Sequence, residues 1–216
     1  MGRSDHTFND KTDEENDGVI HPDTELRLVD PRVGMGVVAT RRIPKGTITW
    51  VHDELDQTFS LEQVAQLREM FRPIFDKYAY LEGTGRYVLC WDHGRFVNHS
   101  CRPTCMAPGF DFEIAIRDIE PGEQLTGDYA TYNLETGFEC FCGTKECRGR
   151  IEPVDRLRLA AGWDDLVCDA FLLLKTVEQP LWSLVREKVN VEHALADRSR
   201  GPTCRVHFFE GDHLGG

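Results

Sequence analysis

The sequence predicts a mostly β fold with some α, built from short strands and closed by a helical C-terminal extension. Two observations predict it. Val, Ile and Thr alternate with polar residues in short runs broken at Gly and Pro, first from Glu25 to Val51 and again from Arg86 onward. After Arg150 apolar residues recur at helical spacing instead. The 216 residues fit one ordinary domain with appendages, and no segment repeats at a fixed period.

Residues 1–24 are rich in Asp, Glu, Asn and Thr with scarcely an apolar side chain, too little burial to offset ordering, so an acidic disordered tail is expected. LRLVD and VGMGVVATRRIPKGTITWV then read as strands, with a turn at Pro44-Lys45-Gly46. Ser60 is placed to cap a helix over LEQVAQLREMF, with Leu61, Val64, Ala65 and Leu67 toward a core and a stop near Pro73. RYVLCWDHGRFVNHS and FEIAIRDI return to strand patterning, and Glu120-Pro121-Gly122-Glu123 turns the chain before QLTGDYATY. VDRLRLAAGW, LVCDAFLLLKTV and PLWSLVREKV are expected to be helical, Pro180 sitting in a first turn.

Composition narrows the partners. A formal net charge of -12 argues against a nucleic-acid backbone; most of that charge simply solvates the surface, although an acidic surface would also attract cationic partners such as Lys-rich tails. The longest apolar stretch, around Ala170 to Leu174, is too short for a bilayer, and the N-terminus has no apolar run behind a basic start. The expectation is a chain that stays in a reducing compartment, cytoplasmic or, in a eukaryote, nuclear. Eight cysteines there read as metal ligands and buried thiols, not disulfides. Cys140, Cys142 and Cys147 form C-x-C-x4-C, with Gly143 and Gly149 allowing tight turns. Three thiolates are one short of a tetrahedral structural zinc site. Cys101, Cys105, Cys90, Cys168, Cys204 and several His compete for the fourth place.

Three further segments precede that cluster: Gly34-Met35-Gly36, Arg95-Phe96-Val97-Asn98-His99-Ser100-Cys101-Arg102-Pro103, and Gln124-Leu125-Thr126-Gly127-Asp128-Tyr129. In this order, over about residues 25–151, they resemble the SET-domain protein lysine methyltransferases with a post-SET zinc motif. The compact organisation is similar to that of small bacterial SET proteins. The resemblance implies short curved sheets with a pseudoknot. It places a SET domain over 25–135 with an insert at about 52–86, a post-SET motif over 136–151 and an extension over 152–216.

It also implies S-adenosyl-L-methionine as methyl donor and Zn2+ held by Cys101, Cys140, Cys142 and Cys147. Met35 and Gly36 would meet the donor through their main chain, with Arg95, Asn98, His99 and Tyr129 beside it. Tyr129 would orient the attacking amine of a lysine in a protein substrate, a histone or other basic protein, and Tyr87 would be a second channel tyrosine. Asp128 would brace local backbone. No dedicated base is required on this reading, since the sulfonium and an apolar channel both disfavour the ammonium and water can carry its proton away. Two departures stand out. Gly127 replaces the family's usual Phe or Tyr, which implies room for two or three methyl groups, and Pro103-Thr104 replaces Pro-Asn. The competing reading is a catalytically inactive SET-like module that keeps the zinc staple for protein interaction; a zinc-ribbon nucleic-acid binder lacks both a second cysteine pair and a basic surface.

Overall fold

The computed structural model describes residues 18–197 and 201–210. Order begins before Glu25. Residues 1–17 of the expected acidic tail lie outside the described residues, but Val19 and Ile20 are buried, and the amides of His21 and Val51 exchange hydrogen bonds with the carbonyls of Thr49 and Val19. Two apolar side chains and a free strand edge suffice to fix a segment that composition assigned to the tail.

β1 (Thr24–Asp30) and β2 (Gly34–Ala39) form an antiparallel hairpin. β3 (Ile48–Val51) follows the Pro44 to Gly46 turn. Gly46 is required there, since its φ is +90° and a Cβ would sit 2.8 Å from that of Leu173. An insert then gives β4 (Gln57–Phe59), α1 (Leu61–Ala65), α2 (Arg72–Tyr78), β5 (Tyr80–Leu81) and β6 (Tyr87–Leu89), its strands pairing in the order β4-β6-β5.

The helix expected after Ser60 is thus two. Ser60 and Gln63 form a reciprocal capping box, but α1 ends at Ala65 and buries none of its residues. Pro73 falls in the first turn of α2, where a missing N–H costs nothing, so it starts a helix where a stop was expected. Leu61, Val64 and Ala65 line a cavity, not the core.

The core strands are β7 (Asn98–His99), β8 (Cys105–Met106), β9 (Phe112–Ala115) and β10 (Thr126–Gly127). Between Leu89 and Asn98 the chain makes a 3-10 turn over His93–Phe96, because the Asp92 carboxylate accepts from the Gly94 amide. β3-β9-β8 is antiparallel, whereas β7 and β10 pair in parallel, Asn98 opposite Thr126 and His99 opposite Gly127. That parallel crossing brings two motifs 28 positions apart into contact. β11 (Phe138–Glu139) and β12 (Arg150–Ile151) bracket the cysteine hook.

α3 (Asp155–Phe171) buries Arg156, Ala160, Trp163, Val167, Ala170 and Phe171, a stripe at three- and four-residue steps. It packs on Phe112, Ile114 and Ile48, and each large side chain so removed from water is worth roughly 1.5–3 kcal/mol. α4 (Lys188–Ala196) adds Val191 and Ala194 to the same core. Pro180 does not open an α-helix. It precedes a 3-10 turn at Trp182–Leu184, whose neighbours Leu181 and Val185 are buried. A second core joins Ile20, Val37, Ala39, Ile43, Cys105, Ala115, Ile119 and Leu125 on the other side of β9. Among the described residues no helix is long and apolar enough to cross a membrane.

Candidate functional site

The β2 turn, β7 and β10 meet beside a cavity of about 740 Å³, which Val97, Tyr129 and Tyr132 line from the core side and the insert lines from the other. Gly36 leaves little room at that meeting: a Cβ would lie 2.6 Å from Gln124 Oε1, 2.8 Å from Asn98 Nδ2 and 2.9 Å from Val29 Cγ1, so these side chains would have to shift. The Asn98 amide donates to the Met35 carbonyl and to Gln124 Oε1, both at 3.0 Å, clamping the G-x-G turn onto β7.

His99 is committed to the protein at both ring nitrogens. Nδ1 accepts the Tyr129 amide at 3.1 Å and Nε2 lies 3.4 Å from Cys101 Sγ. Burial, then the nearby Arg148 charge, holds its pKa down to about 4, so the ring is neutral. Tyr129 lines the cavity and donates its hydroxyl to the Val97 carbonyl at 2.8 Å; burial and then the Glu113 charge push its pKa up to about 12. Tyr87 also lines it, with its hydroxyl bonded to Glu135. Arg95 lies over the Phe96 ring at 4.9 Å and donates to the Trp91 carbonyl at the cavity edge.

Cys101, Cys140, Cys142 and Cys147 converge, their sulfurs all within 4.8 Å of one another. The Cys101–Cys140 separation of 3.7 Å matches the edge of about 3.8 Å in a tetrahedron with zinc–sulfur bonds of about 2.3 Å. The Arg148 amide points at Cys101 Sγ from 3.4 Å, an N–H suited to a thiolate. Burial pushes the Cys101 and Cys140 thiols up, a penalty that a cation among them would reverse. The donor set therefore fits a structural zinc. Cys105, the rival ligand, is a buried core residue in β8. The hook is tied to the site beside it by Arg148, which donates to Asp128 Oδ1 at 2.7 Å, while Asp128 caps the turn carrying Tyr129.

Sequence reasoning missed part of this site. Trp50, Tyr80, Glu113 and Tyr132 also line the cavity. A Glu inside the apolar run FEIAI was the available signal for Glu113. The space left by Gly127 is not vacant either, since a Cβ there would meet the Tyr132 hydroxyl at 2.9 Å. A pocket opened by the missing ring was expected, and a tyrosine five residues on in fact leans into that space.

A four-cysteine hook beside a parallel strand crossing and a tyrosine-lined cavity defines the class of site. Residues 34–130 match the SET domain family, so the chain carries a SET domain over that span. It is 31% identical over 161 residues to a histone H3 lysine-36-specific lysine N-methyltransferase of Mycosarcoma maydis, covering 68% of this chain and 16% of that protein. It is 38% identical over 93 residues to histone-lysine N-methyltransferase ash1 of Drosophila melanogaster, covering 33% of this chain and 4% of that one. The chain thus spans under a fifth of the length of either relative. Among solved structures, KRYPTONITE in complex with mCHG DNA and SAH aligns with 59% of this chain and 29% of its own, at TM-score 0.43 and 20% identity.

Proposed function

We propose that the chain transfers methyl groups from S-adenosyl-L-methionine to the side-chain amine of lysine in a histone or another basic protein. The observation carrying this reading is convergence: Asn98 clamps the Met35–Gly36 turn onto β7, whose neighbour β10 leads into the Tyr129 that lines the cavity, and the cysteine hook braces that turn. The donor supplies a methyl on a sulfonium, so catalysis is largely alignment of amine, carbon and sulfur. The Gly36 turn permits close main-chain approach, and Asn98 holds that turn in register. His99 serves by fixing the Tyr129 amide and shielding the hook, because neither ring nitrogen is left for a ligand. Tyr129 and the less deeply set Tyr87 face the lysine, and Arg95 flanks the donor at the cavity edge. Zn2+ held by Cys101, Cys140, Cys142 and Cys147 fastens the hook.

The test is a radiolabelled methyl-transfer assay on purified histones and host lysate, with mass spectrometry of the labelled residue. Label on lysine, and calorimetric binding of S-adenosylmethionine, support the reading. Absence of donor binding leaves the inactive interaction module.

A further inference from the structure

Glu113 is a carboxylic acid where the proposed reaction was thought to need none. It sits on β9, opposite Trp50 of β3, so both side chains project from the same face into the cavity, away from Phe112 and Ile114. It is only 8% exposed, and its hydrogen bond comes from the Tyr132 hydroxyl at 2.6 Å. No described Lys, Arg or His pairs with it. A buried carboxylate without a cation is costly, and the cost is relieved by protonation or by a cation from outside.

The surroundings suit a cation. Trp50, Tyr80 and Tyr132 wall both the main cavity and a smaller one of about 80 Å³ beneath it, with Glu113 common to the two. Aromatic faces around a carboxylate attract an ammonium and repel an anion. The titratable groups facing Glu113 are Tyr80 on β5, Cys90 after β6, Cys105 on β8, and Tyr129 and Tyr132 after β10. Burial raises all five, so each stays protonated and neutral. His52, Glu82, Asp111 and His207 surround the smaller cavity. The cations Arg72, Lys77 and Arg95 lie on the insert side, engaged with the Val64 carbonyl and the rings of Tyr78 and Phe96, and Asp76 and Glu135 share that wall.

Resting on the methyl-transfer reading, we propose that Glu113 is the counter-ion and proton acceptor for the substrate lysine, with Tyr132 as its hydrogen-bond support. The carboxylate takes one proton from the ammonium, and the freed nitrogen lone pair forms the N–C bond as the S–C bond breaks. The electron pair of that bond stays on sulfur, and the proton leaves Glu113 to water after product departs. Burial also raises the Glu113 pKa, which brings its proton affinity closer to the working pH of such an acceptor.

The experiment has two arms. In the first, kcat/KM is followed from pH 7 to 9.5 for the wild type and Glu113→Gln on whichever protein the labelling assay marks. The variant should lose about 100-fold at pH 7.5 and recover about tenfold per pH unit, because solvent then supplies the free amine as pH approaches the lysine value of about 10.4. A loss that is the same at every pH would mean a structural role and overturn the proposal. In the second arm, n-butylammonium and n-butanol are titrated against the holoprotein while the Trp50 indole N–H is watched by NMR. The cation alone should shift it in wild type, more weakly as pH falls and Glu113 is protonated, and less in Glu113→Gln and Tyr132→Phe. Equal shifts from alcohol and cation would overturn the subsite. Cation binding without any labelled protein would instead retire the methyl-transfer reading and leave the subsite standing.

Discussion

At the scale of single residues, Tyr129 and Gly36 separate chemistry from geometry. The Tyr129 hydroxyl spends its proton on the Val97 carbonyl, leaving lone pairs toward the cavity. Tyr129→Phe should keep the fold and the donor affinity seen by calorimetry while lowering kcat on the order of 100-fold, the cost of a misaligned amine. Gly36→Ala should do the reverse. Its methyl would displace the Asn98 and Gln124 side chains, costing roughly 1–3 kcal/mol in urea unfolding and abolishing measurable donor binding. Asp56 gives the clearest pH signature away from the site. Burial pushes its carboxyl up to about 6, beside His52 and the amides of Asp53 and Trp91. A raised carboxyl favours the fold below its unfolded value of about 3.8, and that stability is lost as pH rises through about 6. Asp56→Asn should therefore flatten the fall in thermal midpoint between pH 4.5 and 7. An unchanged slope would remove Asp56 from the account.

At the scale of elements, the cysteine hook between β11 and β12 makes the strongest claim. Cys142→Ser should lower bound zinc well below one per chain and drop Tm by on the order of 5–10 °C, while Cys168→Ser, outside the cluster, should change neither. A chelator should reproduce the Cys142 effect in wild type. This hook was legible in the sequence because C-x-C-x4-C is local chemistry, and the G-x-G and Asn-His segments were legible because their order is distinctive. The strands on either side of the site were readable for a similar reason, since period-2 patterning survives in runs of four to seven residues. What escaped was set by non-local packing. The break between α1 and α2 is bridged by the Arg72 guanidinium on the Val64 carbonyl, and the ordering of residues 18–23 depends on the edge of β3. Tyr132 reaches Gly127 and Glu113 only because the turn after β10 folds it back across β9, a placement no spacing encodes.

At the scale of the whole molecule, three segments far apart in the chain are held by one asparagine. Asn133 has φ +55°, the left-handed region that Asn tolerates better than most residues. Its Nδ2 donates to the carbonyls of Leu81 in the insert and His207 in the C-terminal strap, at 2.8 and 2.7 Å. Its Oδ1 accepts from Arg156 of α3 at 2.7 Å and from the Phe209 amide at 2.8 Å. The strap is fastened a second time by Asp164, which accepts from Thr203, the Cys204 amide and Arg205. It then crosses Gly83 and Gly85 so closely that a Cβ at either would strike Val206 or Phe209. Insert, core and extension therefore share one joint, and the insert forms the far wall of the cavity. Asn133→Ala would strand two carbonyls, an amide and a buried guanidinium at once, a cost of about 3 kcal/mol or more. Asn133→Asp keeps the acceptor and loses the donor, so it should fall between the variant and wild type in urea midpoint. If the joint holds the wall, the alanine variant should also become cleavable by trypsin at Arg205 under native conditions and should lose substrate affinity before donor affinity. Cleavage at wild-type rate, with both affinities intact, would mean that the strap is decoration on a cavity that stands without it.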